Sequence, residues 1–272
     1  MYKLIASDLD GTLLRANKTI SEYSKKVLKD NNDNFIFVPV TGKILGKTLE
    51  ILKELEGMDY VVAINGSVIY DVKKEEIIYD VPLKREDCIK LFDLTDEYTD
   101  IFTLCTHNKW IKSYKVNKGR VEEHTFFVEN MRGHIEVLDE EIYRINIYLL
   151  DEYEEKYLKM KEEIEKIGFH VYLIRSTDGR PGLISVTSKE VSKKRALDKV
   201  LELENVKWDE TVVFGDNQND KGMLMKAGYS VAMKNAPDHI KDITDDVTEN
   251  TNDEDGVAKY IEEKLGEKLC IN

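Results

Sequence analysis

Cysteine is scarce in this sequence, with three among 272 residues. Cys88, Cys105 and Cys270 are far apart and odd in number, and none has the CxxC or Cys/His spacing of a zinc site. This pattern argues against a disulfide framework and against structural zinc. We therefore expect reduced, mostly buried thiols.

Long apolar runs and an excess of basic residues are also missing. No run of 18 apolar residues occurs, so no transmembrane helix is predicted. The apolar segment 4–6 is cut short by Ser7 and Asp8, which disfavours a signal peptide and makes the cytoplasm the expected location. Lys and Arg number 40 against 53 Asp and Glu, a formal charge of −13. Such a balance disfavours nucleic acid or an anionic membrane as a partner, although a locally positive pocket could still bind a small anion.

What the sequence does contain is typical of a globular protein of one or two domains: 42% apolar and 34% charged residues. At both ends, short continuous apolar runs alternate with helical patterns. This predicts an α/β core, a doubly wound, mostly parallel, Rossmann-like sheet covered on both faces. The predicted strands are 4–6, 35–38, 60–64, 211–214 and 229–232, and the predicted helices are 21–29, 44–55, 196–201, 219–227 and 257–265.

The middle of the chain has a different pattern. Several of its strands alternate apolar with polar residues, as in 143–147, which predicts an antiparallel sheet with one solvated face. We expect an α+β domain at 83–188, inserted into a core made of 1–82 and 189–272. Its predicted strands are 101–104, 110–116, 144–150, 170–174 and 183–186, and its predicted helices are 84–98 and 151–167.

Two carboxylates, Asp8 and Asp10, directly follow the first predicted strand. Ligands of α/β sheets bind outside the carboxyl ends of the strands. At about 4 Å and an effective dielectric of about 20, two such charges repel by roughly 4 kcal/mol unless a cation or a proton intervenes. An ordinary Asp-Gly turn, with Gly11 allowing a tight bend, would explain the pattern equally well.

Two further carboxylates, Asp216 and Asp220, follow the strand 211–214. Asn217 as a helix N-cap and Asp220 as a first-turn acid would explain those two residues, but not Asp216. Together with Asp8 and Asp10 they would form an oxygen-rich site, which suits Mg²⁺ better than zinc.

Two predicted helix starts carry cations, which the helix dipole disfavours. Lys193 follows the N-cap candidate Ser192, and Lys43 follows Thr41 and Gly42. Helix N-termini bind phosphate through free N–H groups, so these lysines are either phosphate ligands or ordinary solvated side chains. A site with several acids, a metal and a lysine is typical of phosphoryl transfer. In that reaction one aspartate attacks phosphorus and a second aspartate donates and accepts protons.

Two other segments have less specific interpretations. Residues 65–67 predict a hairpin turn. The loop 176–182 is either a surface loop or a substrate-reading loop.

The chain resembles the haloacid dehalogenase (HAD) superfamily, specifically its Cof-type, sugar-phosphatase-like branch with a type IIB cap. The four motifs that carry the resemblance occur in order and span the predicted core. They are Asp8-Leu9-Asp10-Gly11-Thr12, Val40-Thr41-Gly42, Val191-Ser192-Lys193 and Gly215-Asp216-Asn217-Gln218-Asn219-Asp220. Two further matches are 231–236 and 255–258.

The resemblance implies a role for each matching residue. Asp8 would be the nucleophile and Asp10 the general acid/base, with its backbone carbonyl on Mg²⁺. Asp8 and Asp216 would bind Mg²⁺ directly, and Asp220 would support it through water. The implied phosphate-binding residues are Leu9 through its backbone N–H, Thr41, Gly42, Lys193 and Asn219, with Gly11 and Thr12 in support. The candidates for substrate recognition in the cap are Trp110, Lys112, Arg144, Asn146, Arg175 and Arg180.

Two positions depart from the family pattern: Lys43 stands where arginine is usual, and Lys194 where glycine is usual. Lysine lacks the planar fork of arginine, so a contact from position 43 would be less directional. The expected activity is Mg²⁺-dependent hydrolysis of a small phosphomonoester, with a sugar phosphate as the first candidate and a monomer or weak homodimer as the expected state. A phosphotransferase or mutase would use the same core, and a receiver-type phosphorylation switch is the alternative without turnover.

Overall fold

The computed structural model describes residues 1–95, 102–113, 125–148, 154–175, 181–266 and 269. The chain forms two compact units, one of Met1–Asp80 with Ser192–Asn272 and the other of Val81–Val191. The sequence pattern had placed these boundaries at 82/83 and 188/189. Among the described residues, no helix is both long and apolar enough to cross a membrane.

The strands of the first unit and of the inserted unit are numbered together along the chain. They are β1 (Leu4–Ser7), β2 (Ile36–Pro39), β3 (Tyr60–Ala63), β4 (Val68–Asp71), β5 (Glu76–Asp80), β6 (Phe102–Cys105), β7 (Trp110–Ser113), β8 (Thr125–Val128), β9 (Arg144–Tyr148), β10 (Phe169–Arg175), β11 (Pro181–Ser188), β12 (Thr211–Gly215), β13 (Tyr229–Ala232) and β14 (Asp246–Val247).

The helices are numbered in the same way. They are α1 (Glu22–Asp30), α2 (Leu45–Leu52), α3 (Arg85–Thr95), α4 (Met131–Val137), α5 (Glu154–Lys166), α6 (Lys193–Glu204), α7 (Lys221–Leu224), α8 (Asp238–Lys241) and α9 (Gly256–Tyr260), the last continuing as a π-helix over Ile261–Leu265.

The first unit is built on a parallel sheet with the strand order β14-β13-β12-β1-β2. All residues of β1 and β12 are buried, as the continuous apolar runs predicted. Because β1 lies between β12 and β2, Ser7 pairs with Phe214 on one side and with Pro39 on the other. The segments that follow these three strands therefore emerge at one edge of the sheet.

One predicted strand of this sheet pairs differently from the expectation. β3, expected in the parallel sheet, forms an antiparallel sheet with β4 and β5. The segment 58–62, which includes most of β3, lies beside β2 and the residue after it through isolated parallel bridges, Phe37 with Met58 and Val40 with Val62. The hairpin between β3 and β4 confirms the turn predicted at 65–67, and pairing with the next strand along the chain explains the antiparallel choice.

Two helices of this unit begin at side-chain caps. Ser21 Oγ accepts a hydrogen bond of 2.9 Å from Ser24 N at the start of α1, and Ser192 Oγ accepts one of 3.2 Å from Arg195 N at the start of α6. These bonds satisfy backbone donors that the first helical turn leaves free. α1 packs on α9, while α6 packs on β3 and α7.

The inserted unit is a six-stranded sheet in the order β10-β11-β9-β6-β7-β8, with a core of its own. Its neighbours are antiparallel, as predicted, except that β7 and β8 run parallel. The apolar positions of the alternating strands, such as Ile145 and Ile147, are buried in this core together with residues of α3, α4 and α5. The opposite face is polar, but Thr103 and Thr187 are buried there rather than solvated. Cys88 and Cys105 are buried free thiols, and Cys270 lies outside the described residues.

Replacement of Leu4 by alanine tests the assignment of β1 as a buried interior strand of the parallel sheet. Leu4 has no exposed surface, so Leu4→Ala should lower the free energy of unfolding by about 2–5 kcal/mol through lost burial and a cavity. The matched control is Leu203→Ala on α6, where the side chain is 59% exposed, and a change within about 0.5 kcal/mol is expected. Equal urea midpoints for the two variants would contradict the assignment.

Candidate active site

Asp8 is the first residue after β1, and its side chain lies at the carboxyl edge of the parallel sheet. Its backbone N–H donates to Phe214 O at 3.1 Å, which ties it to the neighbouring strand. Only 6% of the residue is exposed. Its Oδ1 accepts a hydrogen bond from Lys193 Nζ. The nucleophile candidate is thus a buried carboxylate held by a lysine.

Lys193 is the first residue of α6, and its side chain is fully buried. Besides Asp8, its Nζ donates to Asp220 Oδ1 at 2.7 Å. Burial alone would lower the pKa of this lysine, but the nearby Asp220 and Asp8 carboxylates outweigh it and raise the pKa. Lys193 is therefore a buried cation between two acids, and the alternative of an ordinary solvated lysine is wrong.

Asp220 combines a structural and an electrostatic contact. Its Oδ2 accepts hydrogen bonds from the backbone N–H groups of Asp216, at 3.1 Å, and Asn217, at 3.0 Å. Asn217 caps the following turn by accepting from Gln218 N at 2.7 Å, as its N-cap pattern predicted. The capping arrangement leaves Asp220 Oδ1 free for Lys193.

Asp216 follows β12 and is held by the loop that follows Asp8. Thr12 Oγ1 donates to Asp216 Oδ1 at 3.0 Å. Gly11 has a φ of +80°, and a Cβ atom there would lie only 2.5 Å from Asp216 Oδ2. Glycine is therefore required at this position both for the backbone conformation and for the close approach of the carboxylate.

Asp8, Asp216 and Asp220 form a carboxylate cluster in which one oxygen of each lies within 4.8 Å of one oxygen of the other two; we call it the acid cluster. Burial raises the pKa of Asp8 to about 8, with Asp220 and Asp216 adding to the rise and Lys193 opposing it. Burial also raises the pKa of Asp216 to about 6, reinforced by Asp220. Three acids facing one ammonium carry excess negative charge when ionised, which a divalent cation would neutralise.

The ligand chemistry of the acid cluster fits magnesium. All of its side-chain ligands are carboxylate oxygens, the type that Mg²⁺ prefers, and no histidine or cysteine joins it in the described part of the chain. The geometry therefore supports the predicted oxygen-ligand site and not a zinc site.

Asp10 is only two residues from Asp8 but has different partners. Its Oδ1 accepts from Lys18 Nζ at 2.8 Å, and its Oδ2 accepts from Lys43 Nζ. Partial burial would raise its pKa, but the hydrogen bonds from Lys18 and Lys43 outweigh this and lower the pKa. Lys43, at the position of the usual arginine, thus pairs with the predicted acid/base. Lys18 was not identified from the sequence, because no motif marks it.

Asn65, which lies outside the four motifs, connects predicted phosphate-binding residues of the second and fourth motifs. Thr41 is fully buried, and its Oγ1 accepts from Lys43 N at 3.2 Å. Asn219 Nδ2 donates to Asn65 Oδ1 at 3.1 Å. A Cβ on Gly42 would lie 2.9 Å from the same oxygen. The sequence indicated a turn at Asn65 but not this contact.

The loop that carries Leu9 is held by a hydrogen bond within the loop and by contacts with two residues from the C-terminal part of the chain. The Leu9 side chain is buried, and its carbonyl oxygen accepts from Leu14 N at 2.8 Å. Asn235, in one of the two additional motif matches, donates through Nδ2 to Gly11 O at 2.7 Å. Arg15 donates to Asp255, in the other additional match, at 3.2 and 2.7 Å. Each of the two additional motif matches therefore contains a residue that holds this loop in place.

Four of the six substrate-recognition candidates lie on one face of the inserted sheet, the face opposite its apolar core. In one cross-strand row Thr103 pairs with Lys112 and with Asn146. In the adjacent row Cys105 pairs with Trp110 and Arg144. The backbone of Arg175 ends β10, while Arg180 lies outside the described residues. We call Trp110, Lys112, Arg144 and Asn146 the polar-face residues.

Comparison with known proteins agrees with this fold. Residues 5–261 match the family model of the haloacid dehalogenase-like hydrolases. The chain is 31% identical to a putative phosphatase of Haemophilus influenzae, covering 98% of this chain and 100% of that protein. It is 30% identical to the 5-amino-6-(5-phospho-D-ribitylamino)uracil phosphatase YcsE of Bacillus subtilis, covering 95% and 94%. The HAD subclass IIB sugar phosphatase BT4131 has the same fold, with a TM-score of 0.75 at 21% identity and coverage of 96% and 98%.

The parallel sheet, the inserted second sheet and the family match together define the class of protein. The chain belongs to the haloacid dehalogenase-like hydrolase family, as its motifs predicted, and it shares its fold with a subclass IIB sugar phosphatase. Within that family it is a phosphatase. This membership favours an enzyme over the receiver-type switch.

After treatment of the protein with a chelator to remove metal, the free energy of unfolding should fall as the pH rises. Asp8 and Asp216 have folded pKa values above their unfolded values, so between about pH 4 and pH 8 the folded state binds more protons than the unfolded state. Their stabilising contribution, present at low pH, is therefore lost as the pH rises through this window. Urea midpoints of wild type and Asp216→Asn measured from about pH 5 to about pH 8 check this. The variant, with one carboxylate fewer, should show a shallower fall, and parallel curves would contradict the crowding of these acids.

Proposed function

We propose that this phosphatase hydrolyses a small phosphorylated metabolite, with Mg²⁺ as cofactor and Asp8 as the residue that transiently carries the phosphoryl group. The supporting observation is the buried carboxylate of Asp8, which is in contact with Lys193 and within reach of Asp216 and Asp220. An acid in this position is next to both a fixed positive charge and a set of hard oxygen ligands.

In the first step, an oxygen of Asp8 attacks phosphorus, the bond from phosphorus to the leaving oxygen breaks, and Asp10 gives that oxygen a proton. In the second step, Asp10 takes a proton from water, which attacks phosphorus and releases phosphate and free Asp8. Lys18 and Lys43 hold Asp10 as a carboxylate, the form that the second step needs. Donating a proton in the first step requires Asp10 to leave this pairing.

Mg²⁺ would be held by Asp8, Asp216 and the backbone carbonyl of Asp10, with Asp220 in support, and would supply positive charge against the phosphoryl oxygens. Lys193 provides a second positive charge from within the protein. Thr41, Asn219 and the backbone N–H groups of Leu9 and Gly42 would bind the remaining oxygens. Gly11 and Thr12 support the site by fixing Asp216.

The polar-face residues are the proposed readers of the leaving group. Asn146 and Lys112 offer an amide and an ammonium on the same face as the hydroxyl of Thr103. Such groups suit a polyhydroxylated molecule, which agrees with a sugar phosphate as substrate. The ribityl phosphate in the name of the Bacillus subtilis relative has the same chemistry of hydroxyl groups and a phosphomonoester. A cytoplasmic location, a monomer or weak homodimer, and the absence of nucleic-acid or membrane partners remain predictions.

Replacing Asp8 by asparagine tests the mechanism directly. Asp8→Asn should lower kcat for p-nitrophenyl phosphate roughly a thousandfold or more, because an amide oxygen is a poor nucleophile. Asp59→Asn is the matched control: this acid pairs with Lys73 outside the site, and its loss should leave kcat unchanged. Wild-type activity should vanish with a chelator and return with Mg²⁺. Phosphate release at equal rates from wild type and Asp8→Asn would overturn the proposal.

The mutase alternative gives a different outcome in the same assay. A phosphotransferase would need a phosphorylated sugar as acceptor or activator, whereas the proposed hydrolase releases inorganic phosphate with water alone. Release that depends strictly on a bisphosphorylated sugar would favour the mutase.

Replacing Asn146 tests the proposed substrate-reading face. Asn146→Ala should lower kcat/KM about tenfold for the sugar phosphate that the wild-type enzyme prefers, because roughly one hydrogen bond to the substrate is lost. The value of kcat/KM for p-nitrophenyl phosphate should stay unchanged. Asn108→Ala, in the exposed turn between β6 and β7, is the control and should change neither value. An equal loss for both substrates would show that Asn146 does not read the leaving group.

A further inference from the structure

The turn between β3 and β4 has an unusual backbone. Ile64, Asn65 and Gly66 have φ values of +51°, +56° and +99° in succession. Ile64 is β-branched and fully buried, and such residues rarely adopt the left-handed region. A conformation of this kind persists only where the surrounding structure holds it in place.

The contacts that hold this turn come from the proposed phosphate-binding segments. Ile64 N donates to Lys43 O at 2.9 Å, and Asn65 N donates to Thr41 O at 2.9 Å. On the other side, a Cβ on Gly66 would lie 2.3 Å from Ser192 O, so only glycine allows the turn to approach the residue before Lys193. The turn is thus fixed between the second and third motifs.

The Asn65 side chain extends these contacts to the fourth motif. Its Oδ1 accepts the hydrogen bond from Asn219 Nδ2 and lies against Gly42. The two ends of an amide have nearly the same shape but opposite hydrogen-bonding character. Because Asn65 Oδ1 accepts one N–H of Asn219 Nδ2, it fixes the plane of the Asn219 amide and thereby the direction of the second N–H, the donor that a phosphoryl oxygen needs.

Backbone requirements alone do not explain this side chain. Asparagine is tolerated in the left-handed region, but glycine adopts it more readily, so a turn that served only to connect β3 with β4 would function as well with glycine at position 65. The contact with Asn219 is the feature that glycine would lack.

We propose that Asn65 is a positioning residue that orients Asn219 towards the phosphoryl group. This inference rests on the proposed role of Asn219 as a phosphate-binding residue. Asn65 acts through Asn219, so the two side chains form one functional unit.

A double-mutant cycle tests this coupling. The four proteins are wild type, Asn65→Gly, Asn219→Ala and the double variant, assayed with p-nitrophenyl phosphate at saturating Mg²⁺. Asn65→Gly should raise KM and the inhibition constant of inorganic phosphate by a similar factor, about tenfold. The double variant should be no worse than Asn219→Ala, because residues that act as a unit are not additive.

Asn205→Gly is the matched control for the backbone. Asn205 ends α6 with a φ of +52°, so the same substitution relaxes the same conformation at a distance from the site. It should leave KM and phosphate inhibition unchanged. Both glycine variants should unfold at or above the wild-type temperature, which separates loss of the side chain from loss of the fold.

Two results would overturn the inference: wild-type constants for Asn65→Gly, or effects of Asn65→Gly and Asn219→Ala that multiply in the double variant. Failure of the proposed function has a different signature, because wild type would then release phosphate no faster than Asp8→Asn. In that case, calorimetric binding of inorganic phosphate to the same four proteins still decides the coupling, and absence of binding to wild type would overturn it.

Discussion

The buried ammonium of Lys193, between the carboxylates of Asp8 and Asp220, is the interaction on which the site depends. Carboxylates brought together away from water repel one another by several kcal/mol at a separation of about 4 Å. One lysine offsets this only in part, because Asp216 adds a third acid. The first unit therefore contains a cluster of acids whose negative charge, when they are ionised, exceeds the positive charge of its one lysine.

The parallel sheet makes this arrangement possible. Residues 8, 41 and 216 are far apart in sequence, but each follows a strand whose carboxyl end lies at the same edge of the sheet. A rigid, buried sheet fixes where each of these segments begins. The hydrogen bonds from Thr12 to Asp216 and from Asn235 to Gly11 then hold the connecting loop in place.

Asp8 and Asp10 show how environment separates two chemically identical groups. The pKa of Asp8 is raised to about 8 by burial beside other acids, whereas the pKa of Asp10 is lowered by Lys18 and Lys43. Pairs of carboxylates whose surroundings push their pKa values apart are suited to different roles in acid–base chemistry. The same loop thus provides a proposed nucleophile and a proposed proton carrier.

The sequence by itself determined the alternation of strands and helices, the cap at Ser192, and the family, because these follow from local periodicity, short-range hydrogen bonding and ordered motifs. Only the tertiary structure decided that β3 is not a full member of the parallel sheet, that Lys18 and Lys43 pair with Asp10, and that Asn65 contacts Asn219. Lys43 and Asn219 are distant in sequence from Asp10 and Asn65, and even the nearby Lys18 reaches Asp10 only through the conformation of the loop between them. Sheet order and loop conformation decide these contacts, and no local pattern encodes them.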